Sequence, residues 1–169
     1  MVEIYGNDAG VQRMLEAVDT ALNPVAISGF LSEVIDPYLR KEARSRFNTE
    51  GDNASGKWAP LADSTQAIRD SMGYGASHPI NRREDELYNY VVNTPGGVQT
   101  NPLGATLMFP KNYPGGDLGE KLSAAQTGGV GGSGRSFPAR KVYALGQDDL
   151  YFVLLALASH IERVGGQMI

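Results

Sequence analysis

The sequence predicts an α+β fold: N-terminal helices, a small antiparallel β-sheet with long Gly-rich loops, and a C-terminal helix packed on the sheet. Three observations carry this expectation. Apolar residues recur every three to four positions over residues 8–47, the period of a helix with one buried face. Short runs rich in Val, Tyr and Thr, punctuated by Pro-Gly and Gly-Gly, fill the middle of the chain. A last helical stripe follows the acidic start Gln147-Asp148-Asp149, where the helix dipole favours carboxylates. At 169 residues, 41% apolar and 20% charged, residues 1–169 read as a single globular domain with a substantial core.

Val11, Met14, Leu15, Val18 and Leu22 define the first helix, with Asp8 as its expected N-cap. Asn23-Pro24 restarts the helix, because Asn caps well and Pro suits the first helical position. The next stripe is Ile27, Phe30, Leu31, Val34, Ile35, Tyr38 and Leu39. Pro37 inside it predicts a kink, or a break with Asp36 as a new cap. Arg40, Lys41, Arg44 and Arg46 read as a solvated helix face near a C-terminus; a partner-docking patch is the alternative.

Residues 48–57 are turn-rich, and Asp63 or Ser64 is expected to cap a short helix running to Met72 and ending at Gly73. Loop follows over 73–83, then one helical turn from Glu84. Residues 87–145 read as β-rich, with strands at 88–94, 98–100, 105–109 and 136–145 and a short helix at 118–127. Two stretches, 110–119 and 128–134, read as mobile loops. The C-terminal helix spans 147–164, with Leu150, Leu154, Leu157, Ile161 and Val164 as its apolar stripe.

Several chemistries find no support. A net charge of −4 argues against a broad nucleic-acid-binding face. With no Cys, disulfides, thiolate zinc sites and Cys nucleophiles are excluded. No basic segment leads into an apolar run at the N-terminus, and the longest apolar run, Leu150 to Ala158, falls far short of the roughly 20 residues of a membrane span. The expectation is therefore a protein made in the cytoplasm, with no membrane partner. Gly129 to Gly134 formally contains Gly-x-Gly-x-x-Gly, but it leads into Arg135-Ser136-Phe137-Pro138 rather than a helix whose amides could hold pyrophosphate. Ser133 has no base beside it in sequence, and the two histidines, His78 and His160, lack partners at ligand spacing. His160 reads as surface or half-buried. Glu84-Asp85-Glu86 is most simply a helix start, with a Mg²⁺-binding cluster as the alternative. No cofactor, metal or catalytic constellation is expected.

The segment Arg46-Phe47, then Gly56-Lys57-Trp58-Ala59-Pro60-Leu61, then Ser64-Thr65 holds no nucleophile, base or metal ligand set. Trp58, the only Trp, reads as an anchor pinning its loop to the core, with an interface hot spot as the alternative. A second landmark, Phe137-Pro138-Ala139-Arg140, lies near the far end. In order and spacing these elements resemble the phage virion-morphogenesis family, small neck and tail-completion proteins of Mu-like and lambda-like tailed phages. Two further elements are similar but depart from the family pattern. Around Arg83 and Leu87, Glu84-Asp85 replaces Thr-Gly, and Ala125-Gln126-Thr127-Gly128 lacks the family's His.

The resemblance covers roughly residues 40–165. It implies a structural virion protein, not an enzyme, forming a ring of copies, sixfold by analogy, at the head–tail junction. Its partners would be head-completion or connector proteins on one side and the tail terminator or tail tube on the other. Double-stranded DNA would pass through without sequence-specific contact. A tail terminator capping the tube is the alternative, and a small phage-encoded hydrolase a remote one. Phe47, Trp58, Pro60, Leu61, Phe137, Pro138 and Arg140 are the expected structural and interface residues. The two Gly-rich loops are expected to order against neighbouring subunits.

Overall fold

The computed structural model describes residues 9–52, 54–75, 79–82, 84–102, 104–108, 118–130, 134 and 136–166, and the fold is α+β. Helix α1 (Ala9–Leu22) gives way at Asn23, whose side chain accepts from the backbone N–H groups of Val25 and Ala26, both at 3.0 Å. That cap starts α2 (Pro24–Phe30), as the Asn-Pro pair predicts. The chain then runs without a break through a π-helical turn (Leu31–Ile35) into α3 (Asp36–Thr49).

Asp36 is therefore not a new cap. Pro37 offers no N–H, and the widened turn just before it absorbs the missing bond, with the Asp36 N–H reaching back to Leu31 O. Freed from capping, the buried Asp36 carboxylate accepts from Arg40 Nε at 2.9 Å and from Gly96 N–H at 3.1 Å, tying α3 to a turn 60 positions away.

Past α3, Glu50 adopts a left-handed conformation, and Gly51 opens a two-residue strand. This strand, β1 (Gly51–Asp52), pairs antiparallel with β2 (Gly56–Lys57). Then come α4 (Asp63–Ser71), α5 (Glu86–Asn93), and a hairpin of β3 (Gly97–Asn101) with β4 (Gly104–Met108). Last are α6 (Leu118–Thr127), a short ribbon of β5 (Gly129–Val130) with β6 (Ser136–Phe137), and α7 (Gln147–Gly166). The core joins Ala43 and Phe47 of α3, Trp58, Tyr90 to Val92 of α5, Leu122 of α6 and Val142.

Several expectations are corrected. The β-structure is three separate two-stranded ribbons, not one sheet, so β-rich is too strong for 87–145. Residues 88–94 lie almost wholly in α5 rather than a strand. Tyr90, Val91 and Val92 are all buried, and a short apolar run buried on every side has no periodicity to separate helix from strand. The strand expected over 136–145 shrinks to Ser136–Phe137. The C-terminal helix packs along α1 instead of on a sheet. Its neighbours also include α2 and α3, through Phe30 against His160 and a stacked Tyr38–Phe152 pair with centroids 4.0 Å apart. His160 is buried, its Nε2 3.2 Å from Ala21 O. Neither Asp63 nor Ser64 caps α4; its N-cap is Ala62. Asp8, His78 and Arg83 lie outside the described residues. Of the two Gly-rich stretches only Leu118–Gly119, Gly128–Val130 and Gly134 are described; Leu118 opens α6 and Gly129–Val130 are strand.

At Gly51, φ is 95°, and an added Cβ would stand 2.1 Å from Gly56 O and 2.9 Å from Trp58 N. The Gly51→Ala variant is expected to lose at least about 1–3 kcal/mol, the cost of a strained backbone position. Urea denaturation followed by Trp58 fluorescence measures the loss.

Candidate functional site

The last turn of α3 delivers Arg46 into the interior. Its side chain is 1% exposed, the most deeply placed charge among the described residues. The sequence reads Arg46 as part of a solvated basic face; the structure instead surrounds it with partners. Nε donates to Asp52 at 2.6 Å, Nη2 lies 3.6 Å from Asp149, and Nη1 donates to Val142 O at 3.4 Å.

Asp149 does three things at once. It accepts from Gly146 N–H at 2.7 Å at the start of α7, it faces Arg46, and it accepts from the Tyr38 hydroxyl. A carboxylate at the third helical position reaching back to the N-cap amide is half of a capping box. Burial, reinforced by the bond to Asp149, pushes the Tyr38 hydroxyl well above its ordinary range. For Asp52, burial alone would raise the carboxyl, but the Ser55 amide and hydroxyl and the Arg46 charge outweigh it and hold it below the usual value. These groups line a cleft of about 540 Å³. No signal in the sequence marks it, since Arg46, Asp52 and Asp149 share no spacing.

The two sequence landmarks meet beside this cluster. Phe47, at the end of α3, meets Trp58 edge-on at 5.6 Å and Tyr88 at 5.3 Å. Trp58 is buried, and its indole Nε1 donates to Lys141 O at 3.2 Å. Arg140 answers in the opposite direction: Nε donates to Ala59 O at 3.1 Å and Nη2 to Pro60 O at 3.2 Å. Segments 81 positions apart are thus clamped by donors from each side. Burial lowers the proton affinity of the Arg140 guanidinium, opposed by the nearby Glu50.

The Gln126-Thr127-Gly128 element joins the same junction. The Gln126 side chain accepts from the Val142 and Tyr143 amides and donates to Tyr143 O at 2.8 Å. In effect it satisfies this segment's backbone as a neighbouring strand would. Gly128, with φ 68°, passes so close to that segment that a Cβ would lie 2.8 Å from Ala139 N and from Phe137 O.

Of the seven residues singled out, Phe47 and Trp58 are core. Leu61, Phe137 and Arg140 are half-buried, and Pro60 and Pro138 are exposed. Leu61, Phe137, Pro138 and Arg140 share a mainly apolar cleft of about 440 Å³ with Ile68 of α4, Met72 at its C-cap and Leu87 of α5. A Lys121–Glu86 ion pair of 2.8 Å, from α6 to α5, lies on its wall. Among the described residues, no three His, Asp or Glu side chains converge as a metal site, and no helix is long and apolar enough to cross a membrane.

No protein-family model matches this chain, and neither the curated proteins nor the solved structures yield a match.

Removing the Gln126 side chain strands three backbone groups around the buried Val142. Gln126→Ala is expected to cost about 1–3 kcal/mol for each group left truly buried, read by chemical denaturation. Arg46→Leu leaves the carboxylates of Asp52 and Asp149 facing each other across the site, with an expected loss of about 3–5 kcal/mol in the same assay. Because the Asp52 carboxyl is held below its ordinary value, its contribution is complete above the unfolded value of about 3.9 and fades as pH falls through the folded one. Stability of Asp52→Asn should therefore trail wild type at pH 7 and converge with it towards pH 2–3.

Proposed function

We propose that this chain is a structural component of the head–tail junction of a tailed phage: a ring-forming neck or tail-completion protein. In that role, copies surround the channel through which double-stranded DNA passes, joining the portal-connector complex to the tail. One observation supports the reading above the others. Four of the elements that carry the resemblance, Arg46-Phe47, Trp58 to Leu61, Gln126-Thr127-Gly128 and Pro138 to Arg140, are scattered through the sequence, yet they build one junction. Such a junction fixes a rigid shape. Trp58, Gln126 and Arg140 spend their polar groups on backbone partners and Arg46 pairs mainly with carboxylates, an arrangement suited to holding geometry between copies.

The test is made on the virion. Mass spectrometry of purified particles should detect the protein, and a map of the head–tail junction should show it as a ring on the DNA axis. Inactivating its gene should leave filled heads and finished tails unjoined. Density at the end of the tail tube alone would assign it as a terminator. Absence from mature particles, or turnover of a substrate abolished by one acidic or hydroxyl substitution, would overturn the proposal.

A further inference from the structure

The buried residues of this chain fall into two groups. The core cluster runs from Ala43 to Val142 and takes nothing from α1, α2, the β3–β4 ribbon or α7. In α1, α2, that ribbon and α7 beyond its first turn, Ala21, Phe30 and His160 alone are buried among the described residues. His160 joins the other two: its ring centroid lies 5.2 Å from that of Phe30, and its Nε2 is 3.2 Å from Ala21 O. The ribbon packs mainly on α2 and the π-helical turn, and α1 lies along α7. These elements form an outer unit with its own small nucleus, and its sparse burial gives it less local stability than the core.

The connections between the two bodies converge. The π-helical turn runs into α3 at Asp36, and Asp36 accepts at 3.1 Å from the N–H of Gly96, in the stem between α5 and the ribbon. Two residues on, Tyr38 donates to Asp149 at the start of α7 and stacks on Phe152 with centroids 4.0 Å apart. The helix, the stem and α7 thus cross at one waist, around residues 36–38. A further connection, 109–117, lies outside the described residues.

The helix through this waist is built to bend. Glycine inside a helix costs stability relative to alanine, and packing does not require Gly29, since an added Cβ would meet nothing within 4 Å. The turn Leu31–Ile35 is π-helical, and Pro37 has no N–H to give. A Ser-Gly pair, a π-turn and a proline are each causes of helix kinks, and all three fall within residues 28–37.

We propose that the outer unit swings on the core about this waist, with the π-helical turn as the flexure and the Asp36–Gly96 bond as the latch. Asp36 is 1% exposed; Oδ1 holds the stem and Oδ2 is taken by Arg40 at 2.9 Å, so one side chain closes the joint. On the core side Asp149 is kept in place by Arg46 and the Gly146 N–H. A swing changes the angle between the outer face of α7 and the cleft walled by α4, α5 and α6, and leaves both surfaces intact. One chain then meets its partners at more than one angle without disturbing the bonds of Arg140. Such a lever goes beyond the proposed function and operates in the free chain, so its failure leaves that function untouched.

The chain has no cysteine, so paired spin labels enter at chosen positions alone. Val25→Cys on α2, 80% exposed, and Arg44→Cys on the solvent side of α3 stand on either side of the flexure. Along a straight helix they are at most roughly 28 Å apart. Pulsed electron–electron double resonance on the doubly labelled chain should give one main distance and a minor second one. Asp36→Asn should raise the share of the second distance several-fold, and Gly29→Ala should lower it several-fold. A control pair inside the outer unit, Val25→Cys with Leu154→Cys, should keep a single distance in every background. Gly29→Ala fills open space and folds whether or not Asp36→Asn does, so either variant decides the matter. One unchanged 25–44 distance in all backgrounds overturns the proposal. So does a control distance that shifts together with it, because the outer unit is then fraying instead of swinging.

Discussion

A buried guanidinium has few ways to exist, and Arg46 determines much of what surrounds it. Burying an unpaired charge is far costlier than any single packing contact, so the fold must bring acceptors to it from outside α3. Asp52 comes from the first ribbon, Asp149 from the first turn of the last helix, and Val142 O from the segment between α6 and α7. Each is separated from Arg46 by a different length of chain, so the cluster exists only when the ends of the molecule have met. Ion pairs of this kind are weak sources of net stability. Their effect is to penalise every arrangement that leaves one member out.

The segment from Pro138 to Gly146 illustrates how side chains can stand in for a missing sheet. It belongs to no strand and bends at residues 142–143, so its amides and carbonyls need partners from elsewhere. Gln126 supplies three of them, the Trp58 indole a fourth, and Arg46 a fifth. Arg140 reverses the direction, satisfying Ala59 and Pro60 carbonyls in the loop that leads to α4. The edge-on aromatic cluster of Phe47, Trp58 and Tyr88 packs beside this lattice. Function, as proposed, uses the resulting rigidity, because subunits repeating around an axis accumulate any error in the angle between their contact faces.

Two unlike surfaces stay open among the described residues. One is the cleft walled by α4, α5 and α6; the other is the outer face of α7, where Leu150, Tyr151, Leu154 and Leu155 are at least half exposed. The final helix is more apolar than its contact with α1 alone requires.

How much of this was legible in the residues depends on whether a local rule governed them. Asn23-Pro24 starts a helix wherever it lies, because the cap bonds close within three residues. The helices at 118–127 and 147–166, and the hairpin between Gly97 and Met108, follow equally from short-range periodicity and turn chemistry. The sequence also marked Phe47, Trp58 and Arg140 as special, by composition and by resemblance. What it could not mark was their convergence, nor the burial of Arg46, which looks like any basic residue near a helix end. Tyr90 to Val92 could be strand or helix until α3 and α6 enclosed them, and the last helix could lie on a sheet or on α1 until the packing was formed. Local bonding determined where elements begin and end. Only the tertiary structure decided which faces were sealed and which stayed open, because desolvation of a charge or an apolar face depends on segments too distant in sequence to leave a pattern.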